Sequence, residues 1–90
     1  MMSASRPYED QIRVVLQEHG RLNKPVSDID SDSDLYQAGM TSHASVNVML
    51  ALEGCFDIEF PDQMLKRSVF SSIAAIHDAL AELEQAKSMR

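Results

Sequence analysis

Only a few side chains in this chain could do chemistry, and their surroundings decide which of them does. One thiol, Cys55, and three imidazoles, His19, His43 and His77, are the ingredients of a nucleophile–base pair or a metal site. A nucleophilic cysteine needs a base beside it, and nothing in the sequence around Cys55 supplies one. The histidines fall on three different expected helices with no second ligand type at metal spacing, so each reads as a helix-surface or boundary residue. The alternating Asp28, Asp30, Asp32 and Asp34 look at first like a calcium loop. No frame supplies both the sixth-position glycine and the twelfth-position glutamate that such a loop needs, so they read as a solvated, cap-rich loop. No catalytic residue and no metal site is assigned. What remains is Ser42, within "LYQAGMTSHASVNVMLALE". A serine between a glycine-containing loop and an apolar helical run is either a helix N-cap or the seat of the chemistry. Thr41 could cap the helix equally well, so the cap does not require Ser42.

The elements that position Ser42 follow from periodicity and punctuation. Helix one is expected over Tyr8–His19, with Ser5 as cap, Pro7 in its first turn, acidic Glu9 and Asp10 at its positive end, and Gly20 as its stop. Tyr8, Ile12, Val15, Leu16 and His19 fall on one face. From Arg21 to Gly39 the chain reads as a long loop anchored by Leu22, Val26, Ile29 and Leu35, and loops of this length are uncommon unless functional. The next helix starts near Ser42 and runs through Gly54, with Val46, Met49, Leu52 or Glu53, and Phe56 on a repeating face. Val48, Leu50 and Ala51 add apolar surface, so this helix is buried on two sides or exposes apolar area to a partner. After a turn at Pro61, one or two helical turns are expected around Gln63–Lys66. "FDIEF" alternates like a strand but has no partner strand. The last helix opens at Ser71 or Ser72 and presents Ile73, Ile76, Leu80 and Leu83 on one face. The fold class is therefore all-α: a bundle of three main helices plus one short helix, with a long loop between helices one and two.

Composition narrows the partners. Ninety residues make one domain, 1–90, with its core over about 6–84 and flexible ends, too small for a deep enclosed active site. A net charge of −6 argues against nucleic acid, because phosphate binding needs clustered Lys and Arg. From Ser27 to Gln63 there are eight acidic residues and no Lys or Arg, a field suited to a partner with a basic rim. A single cysteine suits a reducing cytosol, and no window resembles a signal peptide or a membrane span, so the expected location is cytoplasmic.

One family unites these features. "GMTSH" from Gly39 to His43, "ALE" at 51–53 and "FDIEFPD" at 56–62 resemble the acyl carrier proteins. The signature of that family is a Gly-x-Asp-Ser-Leu loop opening an acidic helix, followed by "ALE" and "FxIEIPD". The match runs without a gap from Gly39 to Asp62 and extends more weakly over about 80 residues, through "DSDLYQAG" and the helix opening "SSIAAI". The resemblance implies an acyl-carrier-protein-like bundle in which Ser42 bears 4′-phosphopantetheine, transferred from coenzyme A by a phosphopantetheinyl transferase. The thiol of that arm would hold cargo as a thioester, which leaves Cys55 no part in it. The chain would be a carrier and not an enzyme.

The departures from the family pattern carry information of their own. The Asp before the serine is Thr41, the Leu after it is His43, and only Glu53 remains of the carboxylates along the helix. With these changes the chain is similar to stand-alone bacterial carrier proteins charged by ligases related to class II aminoacyl-tRNA synthetases. An amino acid cargo, an ATP-dependent ligase and a downstream acceptor enzyme are then implied, with Thr41, His43, Asn47, Leu50 and Glu53 near the docking surface. A carrier for fatty-acid, polyketide or other secondary-metabolite synthesis is the alternative. A helical adaptor that binds a partner without a prosthetic group is the alternative of another class.

Overall fold

The computed structural model describes residues 8–88, so the cap expected at Ser5 and the first-turn Pro7 lie outside the described residues. Three α-helices form: α1 (Glu9–His19), α2 (Ser42–Phe56) and α3 (Ile73–Ser88), with α1 packed against both others. α1 buries Ile12, Val15 and Leu16 and ends at Gly20, whose N–H reaches the Leu16 carbonyl. α3 is capped by Ser72, whose hydroxyl accepts from the Ala75 N–H at 3.1 Å. Ser71 instead donates to the Ser68 carbonyl. "FDIEF" forms no strand, and no strand occurs among the described residues.

The connection from α1 to α2 contains a short 3₁₀ turn (Val26–Asp28) and is fixed at both edges of the bundle. Ile29 and Leu35 are buried in the core, and Leu22 and Val26 pack against it, as the sequence pattern predicts. Polar anchors complete the attachment. The Arg13 guanidinium donates to Glu9 Oε2 at 2.8 and 3.0 Å and to the carbonyls of Val26 and Ile29 at 2.6 and 2.9 Å. Ser31 donates to the same Glu9 oxygen, and its own carbonyl accepts from the Ala74 N–H of α3. Asp34 accepts from the Tyr36 N–H at 2.9 Å, the cap-rich use expected of this acidic run.

The one or two helical turns expected around Gln63–Lys66 form as two 3₁₀ turns, Asp62–Met64 and Arg67–Phe70, separated by non-helical Leu65 and Lys66, while the expectations for α2 and His77 need correction. Met64 and Phe70 both pack into the core, yet on a continuous α-helix six residues advance about 240° and would point them to different faces. The buried face of α2 is Ala44, Val48 and Leu52, and Val46 lies 48% exposed. Apolar residues nearly encircle this helix, so periodicity does not single out one face. His77 is buried rather than at the surface. It stands four residues after Ile73 and three before Leu80, on the stripe that α3 turns inward, and its ring lies 5.3 Å from that of Tyr8.

Two stability measurements check this account. Arg13→Ala removes charge-assisted bonds from a partly buried network and should cost roughly 1.5–3 kcal/mol in thermal unfolding followed by circular dichroism. Neither ring nitrogen of His77 has a hydrogen-bond partner among the described residues, the exposed Asp78 carboxylate standing 3.6 Å from Nδ1, so His77→Leu should raise stability by about 1 kcal/mol in the same assay. A loss there would mean that the imidazole is satisfied.

Candidate functional site

The start of α2 is fixed by the turn before it. Gly39 has φ +109°, a conformation that strains any side chain, and a Cβ there would crowd the Asn23 backbone nitrogen at 3.2 Å. Asn23 N–H donates to the Ala38 carbonyl at 2.8 Å, tying this turn to the beginning of the long loop. Met40 is buried and its N–H returns to the Leu35 carbonyl. The chain therefore enters α2 from a plugged, hydrogen-bonded corner.

Thr41 caps the helix. Its backbone is extended, and its hydroxyl accepts from the Ala44 N–H at 3.0 Å. Ser42 is consequently the first helical residue, exposed, and its hydroxyl has no hydrogen-bond partner among the described residues. Its carbonyl accepts from the Ser45 hydroxyl at 2.7 Å, so that neighbouring hydroxyl is directed away from Ser42 Oγ. The first turn of α2 contains no acidic residue, so its N–H groups and dipole favour an anion on that oxygen.

Beside Ser42 lies an open recess of about 310 Å³ between α2 and the two 3₁₀ turns. Val46, Met49, Leu65 and Phe70 give it an apolar floor, while Tyr36, Lys66 and Arg67 line it as well. Sequence reasoning did not single out Lys66 and Arg67 for this site. The signal was present: they are the first basic residues after the cation-free stretch from Ser27 to Gln63.

The other candidates divide by position. His43 is exposed next to Ser42, Asn47 is half-buried, and Leu50 is 54% exposed, so α2 does present apolar area outward. The Glu53 carboxylate accepts from the Phe60 N–H at 2.9 Å and fastens the segment after α2 to the helix. Cys55 is exposed, with the Gln11 amide 3.6 Å from its sulfur. Among the described residues no three His, Cys, Asp or Glu side chains gather as a metal site, and no helix is long and apolar enough to cross a membrane.

Comparison with known proteins matches residues 13–80 to the family described as "Phosphopantetheine attachment site". The chain belongs to this family. Its members are non-catalytic carriers whose cofactor is phosphopantetheine, and the exposed, unpartnered Ser42 hydroxyl at a helix start suits such a group. The chain is 51% identical over 69 residues to an aminoacyl carrier protein of Agrobacterium fabrum, covering 77% of this chain and 83% of the relative. It also resembles the Agrobacterium tumefaciens carrier protein in a crystal structure with an engineered Bradyrhizobium japonicum glycine:[carrier protein] ligase and AMP. That match has a TM-score of 0.80 and 48% identity, over 81% of this chain and 97% of the other. A more distant match, with TM-score 0.68 and 25% identity, covers 79% of this chain and 95% of one from the Bradyrhizobium japonicum ligase complexed with glycylated carrier protein. The all-α fold expected from the sequence is the fold of these carriers.

The division of labour at the helix start has a direct test. Thr41→Ala should lose about 0.5–2 kcal/mol of stability, and Ser42→Ala should lose almost none, in paired thermal melts. Equal losses would show that Ser42 shares the cap.

Proposed function

We propose that the chain is one carrier domain bearing 4′-phosphopantetheine on Ser42, and that the arm holds an amino acid as a thioester. The observation that carries the site is the free, exposed hydroxyl of Ser42 beside a cap made by Thr41. A visiting phosphopantetheinyl transferase supplies the base. Ser42 Oγ loses its proton and bonds to the phosphorus that bears pantetheine, the pyrophosphate bond of coenzyme A breaks, and adenosine 3′,5′-bisphosphate leaves. An ATP-dependent ligase then activates the amino acid as its adenylate with loss of pyrophosphate, the arm's thiol attacks the carbonyl, and AMP departs. An acceptor enzyme discharges the cargo. The likeness to an aminoacyl carrier protein, and to carriers crystallised with a glycine:[carrier protein] ligase, supports an amino acid in place of a fatty acid.

The ligase docks on the outward side of α2, where Thr41, His43, Asn47 and Leu50 lie, with Glu53 at its edge. Exposed Leu50 is the anchor, since apolar side chains that seat in a partner's pocket dominate such interfaces. The setting is the cytoplasm, where coenzyme A and ATP are at hand.

Intact-mass spectrometry after incubation with coenzyme A and a broad-specificity transferase should show the added phosphopantetheine on the wild type and none on Ser42→Ala. The modified protein, given an amino acid:carrier protein ligase, ATP and a panel of amino acids, should then gain an aminoacyl mass. Leu50→Glu should slow that loading roughly tenfold or more while leaving phosphopantetheine attachable. Loading by fatty acids alone would overturn the cargo, and modification of Ser42→Ala would overturn the site.

A further inference from the structure

The recess beside Ser42 carries a feature that attachment alone does not use. Lys66 and Arg67 come from a different part of the chain, yet the fold sets both in the wall of the recess that Ser42 lines. Neither forms an ion pair with a carboxylate among the described residues. The Arg67 guanidinium carbon lies 3.9 Å from the centre of the Tyr36 ring, and Tyr36 lines the same recess. Held by its face, a guanidinium keeps its edge N–H donors available, and that planar fork matches the oxygens of a phosphate.

Charge selects the ligand. On a chain of net charge −6, the exposed Lys66 and Arg67 and the positive end of α2 are the features around this recess that attract an anion. An ammonium group would be repelled from the same place. We propose that Lys66 and Arg67 form an anion site for the phosphodiester joining phosphopantetheine to Ser42, with Tyr36 positioning Arg67. This rests on the attachment at Ser42 proposed above. The root of the arm is then held at the mouth of the recess, and the ammonium of an aminoacyl cargo is kept out of it.

The test is ³¹P NMR of the phosphopantetheinylated protein, with attachment first verified by intact mass. In the wild type the phosphodiester resonance should be displaced from its position in the same protein unfolded in urea. Lys66→Gln with Arg67→Gln should remove at least half of that displacement, Tyr36→Leu should remove part of it, and sodium chloride near 1 M, where screening acts within about 3 Å, should mimic the double variant. Arg21→Gln with Lys24→Gln, which removes the same charge from exposed positions outside the recess, should leave the resonance in place. A mass-verified double variant with the wild-type resonance would overturn the anion site alone. Failure of the wild type to gain the mass would overturn the attachment and, with it, the phosphodiester this site is proposed to hold.

Discussion

The Arg13 fork is the interaction on which the rest of the structure leans. Its guanidinium joins a carboxylate of its own helix to two carbonyls of the long connection, while Glu9 holds Ser31 and Ser31 holds α3. Three helices with a loose connection of this length would leave the entry to α2 undefined. Once the loop is fastened, Ile29 and Leu35 can enter the core, and the corner at Gly39 is delivered to a set place. Serine placement at the far end of the loop is thus a consequence of a charged contact made on α1.

How much of this is legible in the sequence depends on what each feature rests on. Helix α1 and the inward stripe of α3 can be read because polar residues separate their apolar ones. The rotation of α2 cannot, because apolar side chains nearly encircle it and only packing into the shared core chooses Ala44, Val48 and Leu52. His77 sits where α3's own period points inward, but residue type alone argues for the surface. The helical turns expected around Gln63–Lys66 are present as 3₁₀ turns, and burying both Met64 and Phe70 divides them between Asp62–Met64 and Arg67–Phe70. Ser42 is singled out as the proposed attachment point by family likeness, whereas Lys66 and Arg67 come to line the same recess only through the return of the chain in three dimensions.

The substitution of Thr41 for the family's aspartate now has a physical meaning. Both residue types cap a helix by accepting from a first-turn N–H, so the geometry survives the exchange. Threonine does so without a negative charge beside an oxygen that would bear a phosphodiester. The helix start keeps its shape and loses a source of repulsion.

Glu53 points to a consequence for the carrier among its neighbours. It is the sole carboxylate of α2, and it is bound to the backbone of Phe60. A bond from a neutral amide leaves that carboxylate its charge but fixes its place, at the far end of the helix from Ser42. The outward face between them, with Asn47 and Leu50, carries no carboxylate of its own, so a partner reading that face would have to match its shape.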